Sequence, residues 1–323
     1  MQKINWGVLG TADIAKGCTI PGMQQAENAV LYAIAGRSLE KARQFKEQFG
    51  FEKAYGSYDE LLADENVQAV YIPLPNQLHL EWTKKALKAK KHVLCEKPLA
   101  INAREAEEMF CCARENGVLL MEAFAYLHSP IVSAVKEDVK KLGHIRYMES
   151  AFVTSDYPIE NIRMRKETFG GCTYDLGCYA TSQILWMLDE EPTEIQASAL
   201  FTAQGVDTLS CGVFAFESGA KAHFTCGMVF NTEKPQRMDR FQIHGTKGSI
   251  YSAAPFNGEG ELSYTLVIDG QAEEKKVFCP QNYKLEVEQL GRCILKGETP
   301  HVSETFTLKN ARTIDRILSS IGY

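Results

Sequence analysis

The chain has 323 residues, 45% hydrophobic and 24% charged, with 35 Lys and Arg against 41 Asp and Glu for a net charge of −6. That is ample for two buried cores of ordinary globular size. With no run of five like charges it presents no polyanion-binding face, so nucleic acid is not among the expected partners.

In chain order, the first ~125 residues alternate short apolar runs with helical patterns. Ile4–Leu9, Val30–Ala35, Val67–Ile72, His92–Cys95 and Val118–Met121 read as strands. Asp59–Ala63, Leu78–Ala89 and Ala103–Asn116 read as helices, the last closed by Gly117. Continuous apolar strands alternating with helices predict a doubly wound parallel sheet of the Rossmann kind. After Pro130 the pattern changes. Ile131–Leu142 and Thr173–Leu188 read as helices, followed by strand runs at Leu209–Glu217, Ala222–Phe230 and Phe241–His244, with an Asp269-Gly270 hairpin signal. Helices at Lys284–Leu295 and Leu308–Ile321 close the chain. The fold class is therefore α/β, with a second α+β domain on a mainly antiparallel sheet, divided as 1–125 and 126–323.

The first ten residues lack the apolar core of a signal peptide. The longest apolar stretch, around Tyr174 to Leu188, falls short of the roughly 20 residues a membrane span needs. Ten cysteines without a C-x-x-C pair read as free thiols of a reducing cytoplasm, with no metal site.

The turn after the first strand, Gly7-Val-Leu-Gly10-Thr11-Ala12-Asp-Ile14-Ala15, is a degenerate G-x-G-x-x-G fingerprint with Gly10, Ala12 and Ala15 at its small positions. Such a turn lets the backbone approach a pyrophosphate, and it places Gly10, Thr11, Ala12 and Ile14 at a dinucleotide. The second strand runs into Gly36-Arg37-Ser38, with no carboxylate before Glu40. An acid there would repel a 2′-phosphate, whereas a guanidinium and a hydroxyl bind one, so NADP is expected over NAD. Two more segments follow later strands: Pro73-Leu-Pro75-Asn76-Gln-Leu-His79, in which Asn76 would cap the next helix, and Glu96-Lys97-Pro98. Desolvation behind a buried strand would lower the pKa of Lys97.

With these motifs the chain resembles the glucose–fructose oxidoreductase / inositol dehydrogenase (Gfo/Idh/MocA) family over essentially its whole length. The most specific element is the E-K-P tripeptide Glu96–Pro98 behind the P-x-P-N-x-x-H loop. The resemblance implies a cofactor site including Pro73, Pro75, Asn76, His79, Glu96 and Lys97, with Lys97 beside nicotinamide and substrate. Where inositol dehydrogenases carry D-x-G-x-H, this chain has Asp175-Leu-Gly177-Cys-Tyr179, a tyrosine like that of the dimeric dihydrodiol dehydrogenases and NADP-dependent D-xylose dehydrogenases. Met121-Glu122-Ala123-Phe124 and Asn161-Ile-Arg163 look like the same subgroup, which implies substrate contacts from Phe124, Arg163 and Asp175. The usual arginine after Tyr126 is replaced by Leu127.

Moving hydride between an alcohol carbon and nicotinamide requires a group that takes and returns the hydroxyl proton. A free tyrosine titrates near ~10, and a neighbouring ammonium brings it down. Tyr179 is thus the expected proton-transfer residue, Lys97 the group that tunes it and polarises the substrate oxygen, and Asp175 a third catalytic residue one helical turn earlier. The substrate expected is a secondary alcohol, hemiacetal or carbonyl of a sugar-like molecule, and a homodimer is expected. Two alternatives are a non-catalytic NADP(H) sensor, which would not need the Lys97 and Tyr179 pair, and an NAD-dependent inositol-type dehydrogenase, against which Arg37 and Tyr179 both count.

Overall fold

A computed structural model describes residues 2–323, which fall into two compact units. The first takes the chain up to His128 together with Pro280–Thr307. Its strands are β1 (Ile4–Leu9), β2 (Ala29–Ala35), β3 (Lys53–Tyr55), β4 (Ala69–Ile72), β5 (His92–Glu96) and β6 (Leu120–Ala123). Among the described residues they form one sheet in the order β3-β2-β1-β4-β5-β6, every pairing parallel. Ile4, Trp6, Val8, Ile34, Val70, Tyr71, Val93 and Leu94 are fully buried, because crossover helices cover both faces of such a sheet. Those helices are α1 (Ile20–Gln25), α2 (Leu39–Phe49), α3 (Tyr58–Ala63), α4 (His79–Lys88) and α5 (Ala103–Asn116). α5 starts where the Asn102 side chain accepts the Glu105 N–H and stops at Gly117 in the left-handed conformation. Chain order reverses between β1 and β4, which is where an open α/β sheet binds its ligand.

β3, α1 and α2 are absent from the sequence reading. β3 is three half-buried edge residues, α1 is a six-residue helix carrying Pro21 and Gly22, and α2, whose Leu39, Ala42, Phe45 and Phe49 recur at helical spacing, buries only Ala42.

The second unit comprises Ser129–Cys279 and Leu308–Tyr323. It begins with α6 (Pro130–Val139) and β7 (Ile145–Ser155), followed by α7 (Cys178–Leu188). Next come β8 (Glu194–Phe201), β9 (Asp207–Ala215), β10 (Lys221–Phe230), β11 (Arg237–Gly245), β12 (Gly248–Ser252), β13 (Gly260–Ile268) and β14 (Gln271–Cys279). The sheet order is β14-β13-β12-β11-β7-β10-β9-β8, antiparallel except where β10 runs parallel to β7. Asp269 and Gly270 both take positive φ, as the two-residue hairpin between β13 and β14 requires. α7 packs on β7, where Ser150 Oγ donates to Gln183 Oε1 at 2.6 Å, and Thr181 Oγ1 donates to Asn310 Oδ1 of α9 (Glu304–Ile321) at 2.8 Å.

The sequence reading divides the chain once, at 125/126. In the structure α8 (Asn282–Lys296) returns to the first unit. Gln281 Nε2 donates to Cys18 O at 3.0 Å and Asn28 Nδ2 to Glu288 O at 2.8 Å. An amphipathic helix shows that it has a buried face, but not which sheet that face will meet.

Candidate active site

β1 ends in a turn whose Gly10 has φ +122°, a conformation that glycine adopts without strain. A Cβ there would stand 3.2 Å from Leu74 Cδ2 and 3.6 Å from the Tyr58 hydroxyl. Instead of a regular helix, the fingerprint leads into a wide turn, Ala15–Thr19, in which the Ile20 N–H reaches Ala15 O. Pro21, just inside α1, has no N–H to give the preceding turn, which relaxes the ordinary helical register. Ala15 is buried, and Thr11, Ala12 and Ile14 are half-buried.

At the end of β2, Arg37 is exposed and Ser38 caps α2, its Oγ accepting the Lys41 N–H at 3.4 Å. The next carboxylate, Glu40, lies on the first turn of α2. Tyr58 was not singled out from the sequence, yet it stands beside Gly10 and within electrostatic reach of Arg37. Burial raises its phenol pKa while Arg37 opposes the rise. Its ring meets Trp82 edge-on at 4.8 Å. The available signal was Ser57, whose Oγ accepts the Glu60 N–H and fixes where α3 begins. A turn cleared of side chains, with an exposed guanidinium and hydroxyl nearby, fits a dinucleotide carrying a 2′-phosphate.

Pro73 and Pro75 leave the carboxyl end of β4. Asn76 is not the cap of α4: it opens a 3₁₀ turn, Asn76–Leu78, and its carbonyl accepts the His79 N–H. Two prolines so close together hold the chain extended too long for Asn76 to cap α4. His79 departs further from the expected cofactor contact. Its ring is fully buried, with Nδ1 2.9 Å from Pro98 O and Nε2 2.7 Å from Leu74 O. The ring is closed off between the two proline loops, and in the neutral form that burial favours it donates to only one of the two carbonyls. Burial lowers its pKa, the carbonyls of Leu74, Pro98 and Leu99 oppose that, and the charge of Lys97 adds to it.

Glu96 closes β5 and is buried, its Oε1 accepting from the Tyr71 hydroxyl at 2.5 Å, while Thr19 Oγ1 donates to that hydroxyl at 2.9 Å. Lys97, half-buried, follows at the carboxyl end of β5. Phe124 is also corrected. It is fully buried, edge-on to Tyr126 at 6.0 Å, so it has no surface to offer a substrate. Leu127 is buried too, and its carbonyl faces His301 Nε2 at 3.0 Å.

In the second unit Thr173–Leu188 is not one regular helix. Thr173–Gly177 forms a wide turn that feeds α7. The turn is anchored by buried Asp207, whose Oδ2 accepts from the Thr173 N–H at 2.8 Å and the Thr173 hydroxyl at 2.6 Å. Gly171 (φ +105°) makes room for that carboxylate, since a Cβ would lie 1.9 Å from Asp207 Oδ1. Tyr179 is 8% exposed. Its ring packs against Phe152 at 5.4 Å and Phe256 at 5.3 Å, and its hydroxyl accepts from Asn257 Nδ2 at 3.4 Å. Asp175 is held by Arg163, Nε to Oδ2 at 2.7 Å, and the guanidinium lies over the Tyr157 ring at 5.0 Å. Tyr157, Phe256 and Asn257 were not anticipated. They sit in loops with no motif of their own.

Among the described residues no group of three or more His, Cys, Asp or Glu is arranged to hold a metal, and no helix is long and apolar enough to cross a membrane. None of the ten cysteines forms a disulfide.

Residues 4–124 match the oxidoreductase family with an NAD-binding Rossmann fold (GFO/IDH/MocA), and residues 135–251 match the GFO/IDH/MocA C-terminal domain. The chain is 36% identical to the D-xylose 1-dehydrogenase (NADP(+)) 2 of Haloferax volcanii over 98% of its own length and 96% of that protein. It is 28% identical to the trans-1,2-dihydrobenzene-1,2-diol dehydrogenase of Xenopus tropicalis, covering 98% of both. The crystal structure of a 3-ketoreductase from Actinomadura kijaniata, in complex with NADP and TDP-benzene, superposes with a TM-score of 0.91 at 29% identity, covering 99% of this chain and 98% of that one.

Proposed function

The chain belongs to the GFO/IDH/MocA family of oxidoreductases, and from that premise we propose that it moves hydride between NADP and a secondary alcohol, hemiacetal or carbonyl of a sugar-like small molecule. One observation carries the proposal. The segments expected at the cofactor leave the carboxyl ends of β1, β2, β4 and β5, the four adjacent central strands of the sheet, and Lys97 is the half-buried cation among them. The NADP named for the xylose dehydrogenase and bound to the ketoreductase supports the choice that Arg37 makes.

Gly10, Thr11, Ala12 and Ile14 would cradle the pyrophosphate, Arg37 and Ser38 the 2′-phosphate, and the Pro73–Asn76 loop the nicotinamide side. When bound, the nicotinamide supplies the hydride acceptor or donor. The chain's own work is proton transfer and charge. Tyr179 Oη takes the hydroxyl proton during oxidation and returns it during reduction. The Lys97 ammonium withdraws charge from the substrate oxygen. Arg163 and Asp175, already an ion pair, hold substrate hydroxyls at a distance from the reacting carbon.

Ten cysteines without a disulfide among them support a cytoplasmic location. Leu200, Val213, Tyr251 and Phe278 are exposed on four different strands of the second sheet. Their registers fall on one face, which supports a homodimer through that face.

The test is a panel of aldoses, polyols and dicarbonyls with NADP(H) and NAD(H), followed by nicotinamide absorbance. Turnover with NADP(H) on at least one sugar-like compound is the expected result. Tight NADPH binding with no turnover across the panel would overturn the enzyme reading in favour of a sensor.

A further inference from the structure

In the first unit, β6 runs beside β5 with Glu122 opposite Cys95 and Ala123 opposite Glu96. The Glu122 side chain is only 2% exposed. Its Oε1 accepts the main-chain N–H of Leu99 at 2.9 Å, two residues beyond Lys97. Its Oε2 is buried, with no partner in good hydrogen-bond geometry and only the Thr307 hydroxyl close to the carboxyl. The titratable and charged groups facing this carboxyl are Lys97, Glu96 and Cys95, with the Thr307 hydroxyl nearby. A carboxylate out of water is costly unless a cation answers it, and Lys97 is the cation in that set.

We propose that Glu122 is a positioning residue for Lys97: its Oε1 fixes the chain just after Lys97, and its Oε2, when ionised, draws the ammonium into a single orientation. This rests on the reading that Lys97 acts on the substrate oxygen. Burial pushes the Glu122 carboxyl up to about 7 against the opposing pull of the Leu99 N–H, Thr307 and Lys97, with Glu96 adding to the rise. The carboxylate therefore forms near neutral pH, and Lys97 is held on the alkaline side of that step.

Glu122→Gln separates the two jobs. The amide oxygen still accepts the Leu99 N–H, so a purely structural role is preserved, but the charge is gone. For the wild type, kcat should fall on the acid side of about pH 7. For Glu122→Gln, kcat should fall about tenfold on its plateau, lose that acid limb, and leave the NADPH Kd within twofold. Glu122→Asp, which retains a charge, should keep an acid limb. A Glu122→Gln enzyme with wild-type kcat and an unchanged acid limb overturns the proposal.

A second measurement changes no atom of Glu122. In ¹³C-carboxyl titrations of wild-type and Lys97→Met protein, assigned as the resonance missing from Glu122→Gln or Glu122→Asp, loss of the ammonium should raise the Glu122 pKa. Equal values in the two proteins overturn the pairing even if Glu122→Gln fails to fold. Near-normal turnover of Lys97→Met would instead sink the reading of Lys97 itself, so the two failures are distinguishable.

Discussion

Arg163 Nε donates to Asp175 Oδ2 at 2.7 Å, joining a residue of an irregular loop to the wide turn that feeds the Tyr179 helix. The same arginine's carbonyl accepts the Gly171 N–H at 2.8 Å, so backbone and side chain brace one corner. The side chains are 35% and 17% exposed, which leaves the outer edge of the pair available to a polar ligand while water screens part of its strength.

From this pairing, Arg163→Ala and Asp175→Asn should each raise KM about tenfold with kcat within about twofold. The double variant should be little worse than either single one, because each change already breaks the shared unit. Steady-state kinetics on the four proteins checks this. Effects that multiply independently would show that the two residues serve the substrate separately.

Cofactor choice rests on Arg37, exposed at the end of β2 with no carboxylate before Glu40. Arg37→Ala should weaken NADP by ~1.5–3 kcal/mol, the worth of a charged hydrogen bond, and leave NAD nearly unchanged. Titrating both oxidised cofactors by calorimetry checks it. An equal loss for both would remove the 2′-phosphate from the account.

The fingerprint can be tested for its need of bare backbone. Ala12 is partly exposed in the turn that follows β1, so Ala12→Val has room in the folded chain and little effect on its thermal midpoint. It should nonetheless abolish dinucleotide binding, because the added methyl groups occupy the space of the pyrophosphate. Normal binding by a folded Ala12→Val protein would displace the fingerprint from this turn.

How much of this was legible beforehand follows from where each signal lies. The parallel sheet, α5 and the β13–β14 hairpin were readable because their burial, caps and turn residues are local. Tyr179 and Lys97 stand out in the sequence because family motifs surround them. His79 was misjudged because its partners, Leu74 O and Pro98 O, are backbone atoms, and no side-chain pattern announces a carbonyl. Phe124 and Glu122 lie two residues apart on one motif, and only burial shows that the first is closed off. Tyr58, Phe256 and Asn257 reach their places through tertiary packing alone.

Buried Glu286 makes stability depend on pH. Both its carboxyl oxygens are buried without a hydrogen bond, and burial, reinforced by the charge of Glu96, raises its pKa well above 4.5. The folded protein thus keeps a proton that the unfolded chain releases. The contribution is fully present below the unfolded value and is lost as pH rises above it, at up to ~1.4 kcal/mol per pH unit. Glu286→Gln has no proton to release. The stability difference between variant and wild type, from urea unfolding between pH 5 and 8, should therefore grow with pH in the variant's favour. A difference that stays flat would mean that Glu286 is already ionised in the folded protein.

The last prediction is the catalytic pair. Tyr179→Phe removes only the hydroxyl, which accepts from Asn257, and keeps the ring against Phe152 and Phe256, so the packing of α7 should survive. If Oη carries the proton, turnover falls by the ~10²–10⁴ typical of general acid–base catalysis while the NADPH Kd barely moves. Lys97→Met should cost at least as much, since it removes charge from the substrate oxygen. Combined, the two should be less than multiplicative, because groups that act as one unit cannot be lost twice. Single-turnover kinetics with NADPH on the best substrate of the panel separates this chemistry from product release. Should Tyr179→Phe keep near-normal turnover, the proton travels through another group, and Asp175, held by Arg163 one turn before Tyr179, is the first to substitute.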